Sequence, residues 1–164
     1  MKPWKKIFQS ENLIYLYLMV YFIINLTLLT DFPYIHSDEP WLSGLSRNII
    51  MNHAISVTEP FFDAYERNPH AIKLIFHLLQ GGVMQLFGYT IFTFRLISLL
   101  FSVGTLTFFY RLCRVIGQSQ KFALLTTVLL SLDIQYLYAS HLARQEIIIL
   151  FAMVLSAYLL ISHI

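Results

Sequence analysis

The sequence predicts an all-α integral membrane protein of about four transmembrane helices, whose long external first loop carries amphipathic helices along the membrane surface. Three observations predict it. Of the 164 residues 57% are hydrophobic and only 12% charged, whereas soluble domains run nearer half and a quarter. Four apolar runs approach the ~20 residues that a bilayer-crossing helix needs. The few charges are sorted along the chain, acids into one long segment and bases into the start and one short loop, as the positive-inside bias requires.

The start, "MKPWKKIF", puts Lys2, Lys5 and Lys6 ahead of the first apolar run, residues 13–30. That run ends in "LTLLTDFPY", without a small-x-small cleavage pattern, so it reads as an uncleaved signal anchor and the first crossing. The segment "RLCRVIGQSQK", 111–121, has three bases and no acid. Both basic segments read as cytoplasmic, so an even number of crossings lies between them. Residues 13–30 and about 92–113 supply two. The stretch 71–88 also competes, but it holds Lys73, His77, Gln80, Gln85 and a Gly-Gly pair that weakens a helix interior. As a crossing it would put the basic loop outside. It is therefore expected as a helix at the outer interface. Runs 122–139 and 147–163 complete four crossings in a single membrane domain, 1–164, with both ends inside. Single Cys113 allows no internal disulfide.

The external loop, 31–91, holds six of the nine acids, Asp31, Asp38, Glu39, Glu59, Asp63 and Glu66. Loops this long are rare unless functional. Within it, "SDEPWLSGLSRNIIMNH" offers Ser37 or Asp38 as a helix cap and Pro40 in the first turn. Trp41, Leu45, Ile49 and His53 follow at four-residue spacing, an amphipathic helix able to lie on the membrane.

Five places could carry chemistry; one of them, "YERNPH" at 65–70, reads otherwise as a turn before a helix. Asp38 and Glu39 stand at a helix start, where free N–H groups favour a carboxylate; they are either a cap or a base or metal ligand just above the bilayer, and His36 reads as a loop residue. In "HLARQE", Arg144 and Glu146 are either a solvated rim or a phosphate-binding Arg beside an acid facing the loop; a planar guanidinium suits phosphate. Arg95 either snorkels to headgroups or meets a lipid-linked phosphate. Asp133, inside the third run, is a candidate because an acid in a bilayer is expensive. The sequence holds no Gly-rich phosphate loop, CxxC, HExxH or Ser-His-Asp arrangement, and nothing that suggests nucleic-acid binding.

The order of these parts resembles the start of a known family. An anchor helix, Asp-Glu at its outer exit, "NPH" before an apolar helix, "LFGYTIFTFRLIS", a helix with a basic inner end and "ASHLARQE" are similar to the C-type superfamily of polytopic membrane glycosyltransferases, in its protein O-mannosyltransferase-like and aminoarabinose-transferase-like branch. The resemblance implies transfer of a sugar from a polyprenyl-phosphate donor to a lipid, glycan or protein hydroxyl on the outer face of the cell membrane, with membrane lipids as the other partner. It implies Asp38 and Glu39 as the catalytic pair, with Asp38 as the key carboxylate, and Glu146 as the acid of the second external loop. Asp38 and Glu146 would be the ligands if Mg²⁺ or Mn²⁺ serves; carboxylates without Cys suit those ions. Arg95 and Arg144 would hold the phosphate. Pro69 matches the family's Pro-Pro or Lys-Pro element, and His70 departs from it, standing where a second Pro is common; Glu66 and Arg67, just before this element, are counted in the substrate-binding set. The competing class is a non-catalytic polytopic protein, a transporter or flippase-like component, which would show paired intramembrane charges and symmetric repeats. The apolar ending "YLLISHI" suits the N-terminal part of a longer enzyme.

Overall fold

The computed structural model describes residues 12–63, 65 and 73–163. Over these residues it is all-helical, with no strand. The helices are α1 (Asn12–Leu28), α2 (Asp38–Asn52), α3 (Leu74–Phe87), α4 (Ile91–Val115), α5 (Gln120–Leu132), α6 (Ile134–His141) and α7 (Glu146–Ser162).

Helix α4 is the centre of the bundle. α7 packs along it most extensively, and α1, α3, α5 and α6 also lie against it. Its contact face is small and polar: Ser98, Ser102 and Thr105 are buried at helical spacing. Their hydroxyls return to carbonyls, Ser102 to Leu99 and Thr105 to Phe101 at 2.8 Å, so the helix stays slim. Small residues let backbones approach where the surroundings offer no hydrophobic drive. Gly104 shows the same logic, since a β-carbon there would sit 2.8 Å from the Phe151 ring of α7. α1 turns Ile14, Leu18, Tyr21 and Asn25 inward at four-, three- and four-residue spacing. Its opposite face, with Leu16, Met19, Val20, Ile23 and Ile24, is apolar and exposed. A helix apolar all round belongs in an apolar surrounding.

Among the described residues one helix, α4, is by itself long and apolar enough to cross a bilayer. α1 and α7 are apolar but have 17 residues each, about 26 Å at 1.5 Å per residue. The third expected run differs most. It is not one helix but α5 and α6, bent by 67° at Asp133. The cause is local: Asp133 adopts an extended backbone, and its Oδ1 accepts from Tyr136 N at 2.9 Å, capping α6. Short polar side chains compete for backbone groups in this way and interrupt helices. The Tyr136 hydroxyl then donates to Ser102 O at 2.7 Å and pins the bend to α4.

α2 and α3 form the outer layer, packed on each other and, through α3, on α4. α2 buries Leu42, Leu45, Ser46 and Ile49; His53, expected on the same stripe, instead ends the helix in a left-handed conformation and is exposed. α3 has 14 residues, about 21 Å. It meets α2 at Gly81, whose hydrogen faces the Ile50 side chain.

Candidate active site

Glu39, on the first turn of α2, points inward and is fully buried against Arg95 on the first turns of α4. Arg95 Nε and Nη2 donate to its two oxygens at 2.9 and 2.8 Å. The same carboxylate accepts from Ala143 N at 2.8 Å and from His36 N at 3.0 Å. Arg95 Nη1 donates to the carbonyls of Leu29 and Pro33 at 3.0 and 2.9 Å. A buried ion pair is tolerable only when its remaining donors and acceptors find partners, and every nitrogen and oxygen of these two groups has at least one. The pair joins the exit of α1, the start of α2, the start of α4 and the α6–α7 turn in one knot.

Asp38, one residue earlier, points the other way because successive helical side chains diverge by ~100°. Its side chain is 37% exposed. Ser37 makes no side-chain cap bond. Asp38 Oδ2 instead faces Arg144 Nη2 at 3.4 Å and His36 Nδ1 at 3.8 Å. Arg144 Nη2 also meets Glu146 Oε1 at 2.8 Å. Arg144 Nε is buried with no acceptor among the described residues. One guanidinium thus bridges two open carboxylates and keeps a donor in reserve.

Beside this cluster, α3 and α7 enclose an apolar groove of about 620 Å³, lined by Leu74, Phe76, Ile148, Ile149 and Ala152, with Lys73 and Gln145 as its polar members. Lys73 Nζ donates to Gln145 Oε1 at 2.8 Å. The ammonium lies close enough to feel the charges of Glu146, Arg144 and Asp38. An apolar groove with a cation in its lining can take an amphiphile whose head is anionic.

A second buried network supports the site. Ser46 Oγ lies 2.8 Å from His77 Nδ1 and donates to Gln80 Oε1 at 2.5 Å. Ser46 Oγ also lies 3.0 Å from Leu42 O, so its single proton is shared among these neighbours. Burial pushes the His77 imidazole down to about 4, with Lys73 adding to the effect. Gln80 Nε2 reaches Ala143 O at 3.5 Å. The residue before Arg144 is thus held at its N–H by Glu39 and at its carbonyl by Gln80.

The expected site residues therefore divide. Asp38, Arg144 and Glu146 come together at the open surface. Glu39 and Arg95, expected at the chemistry and at the phosphate, pair with each other in the interior, away from the open surface. Glu66 and Arg67 lie outside the described residues, as do Pro69 and His70. Asp133 is a helix cap and is apart from the cluster. As a metal site the donor set fits poorly. Among the described residues no three His, Cys, Asp or Glu side chains converge, and Arg144 already bridges Asp38 and Glu146. Sequence reasoning missed Lys73 and Gln145 as site residues. The signal was a lone Lys opening an otherwise apolar stretch.

No curated protein and no solved structure matches the chain. The family model for dolichyl-phosphate-mannose-protein mannosyltransferases matches residues 74–164. That is more than half of the sequence, and it takes in α3 to α7 with Arg95, Arg144, Glu146 and the groove's lining apart from Lys73. On that match, the chain belongs to the dolichyl-phosphate-mannose-protein mannosyltransferase family of membrane glycosyltransferases.

Proposed function

We propose that the chain transfers a sugar from a polyprenyl-phosphate donor to a hydroxyl acceptor at the outer face of the cell membrane. In this reading the chain crosses four times, with α5 and α6 as one broken span and the N-terminus in the cytoplasm. The observation that carries it is the Asp38–Arg144–Glu146 cluster beside an apolar groove that has Lys73 in its lining. The groove suits the polyprenyl tail, and the cluster suits its phosphate and sugar.

The step is a single displacement. The acceptor oxygen attacks the anomeric carbon, and its proton passes to the Asp38 carboxylate. The bond from that carbon to the phosphate oxygen breaks, and the electron pair leaves with the phosphate. Arg144 and Lys73 offset the charge that develops on the leaving group, the kind of fixed electrostatic help that lowers such barriers most. Glu146 holds Arg144 in place. Attack opposite the leaving group inverts the anomeric centre. We propose this step without a resident Mg²⁺ or Mn²⁺, because Arg144 supplies the positive charge between the two carboxylates.

The test is transfer from labelled polyprenyl-phosphate sugars in membranes carrying the chain with its native flanking sequence, wild type against Asp38→Asn. Loss of transfer with normal insertion supports the assignment. Full activity in the variant removes Asp38 from the mechanism. Absence of transfer from any donor by well-expressed wild type would favour a non-catalytic membrane component.

A further inference from the structure

At the end of the bundle opposite Asp38, a second cleft opens. It measures about 270 Å³ and is lined by Tyr15 of α1, Tyr110, Arg111 and Arg114 of α4, and Tyr158 of α7. Its lining mixes phenol hydroxyls and guanidinium groups with ring faces, unlike the apolar groove at the other end. Arg111 Nη2 donates to the Tyr15 hydroxyl at 3.1 Å, and its guanidinium lies 5.7 Å from the centre of the Phe108 ring. Arg114 Nη1 donates to Gln118 O at 2.8 Å. Each guanidinium has five N–H donors, so most remain after these bonds. Neither Arg pairs with an acid: the ion pairs among the described residues all involve Glu39, Asp38 or Glu146 at the far end. Two positioned cations with no acid paired to them among the described residues, beside phenol hydroxyls, make an anion site.

Its depth says what kind of anion. Arg111 lies 16 residues after Arg95 on one helix, about 24 Å along the axis, and Arg114 about 28 Å. The hydrocarbon of a bilayer is about 30 Å thick. With Arg95 near one interface, the cleft falls at the headgroup level of the other. We propose that this cleft binds the phosphate of an anionic phospholipid headgroup in the leaflet opposite the transfer site. The guanidinium forks of Arg111 and Arg114 take the phosphate oxygens, and the Tyr15 and Tyr158 hydroxyls supply further donors. The inference rests on the membrane-spanning reading of α4 alone and is independent of whether Asp38 carries out transfer.

Native mass spectrometry of the full chain, released from detergent with phosphatidylglycerol added, tests it. The wild type should retain a phosphatidylglycerol adduct, and Arg111→Gln/Arg114→Gln should weaken it about tenfold, as loss of charge-assisted hydrogen bonds implies. Lys121→Gln removes a positive charge from the same end outside the cleft and should leave the adduct unchanged. If the double variant does not fold, the single Arg111→Gln and Arg114→Gln variants are read in the same way. Inorganic phosphate is the second probe. Displacement of the lipid by millimolar phosphate would show that the anion is recognised without its lipid, which supports the site with the free ion as its other source. An adduct unchanged in the Arg variants, or lost equally in Lys121→Gln, would overturn the proposal.

Discussion

Asp38 and Glu39 are adjacent acids with opposite fates, and their variants should separate cleanly. Asp38→Asn keeps the shape and removes a base. Transfer should fall ~10²- to 10⁴-fold, the range for a lost proton acceptor, with thermal stability unchanged. Glu39→Ala leaves Arg95 charged, buried and short of two partners. Breaking one side of such a pair costs about 3–5 kcal/mol, so loss of folded protein in a detergent melt should precede any kinetic measurement. A stable, inactive Glu39→Ala would instead return that residue to the chemistry. His77 gives a pH prediction. Its imidazole titrates at about 4 in the fold, below its ordinary value of about 6.5. The unfolded chain therefore takes up the proton first. The stabilisation is complete above pH 6.5 and is lost as pH falls from 6.5 towards 4. Tm measured across that window should drop in the wild type and drop less in His77→Gln.

At the scale of elements, the contact between α2 and α3 turns on one missing side chain. A β-carbon on Gly81 would lie 2.6 Å from Ile50 Cγ1, whereas one on Gly82 meets nothing within 4 Å. Gly81→Ala should destabilise by about 1–3 kcal/mol through overpacking, and Gly82→Ala should be neutral or stabilise by up to ~1 kcal/mol through helix propensity. Equal melts for the two variants would contradict the packing. Helices α1, α4 and α7 were legible because long apolar runs announce themselves by length and composition. The bend between α5 and α6 was not. Asp133 stands in a run of otherwise apolar composition, and whether such an acid faces outward or caps a new helix depends on a backbone turn that hydropathy does not record.

For the whole molecule, the sorting of charge makes a topological prediction. The proposed four crossings would put the α2 end and the α4–α5 turn on opposite sides of the membrane. In a Cys113→Ser background, Asn52→Cys should react with an impermeant thiol reagent on intact cells, and Gln118→Cys should react only after permeabilisation. The same side for both would require a different number of crossings between them.

The sequence by itself determined the membrane class and the sorting of acids and bases along the chain, because bilayer burial and charge placement act on composition and order; its candidate set still held Glu39, Arg95, Glu66 and Arg67 beside Asp38, Arg144 and Glu146. Only the tertiary structure decided that Glu39 belongs to Arg95, 56 residues away, that Asp38 is therefore the exposed acid of the pair, and that Lys73 and Gln145 stand beside Glu146. Helical periodicity says that neighbouring side chains diverge, but which of two adjacent acids turns inward depends on where a buried cation waits, and that is a property of packed helices.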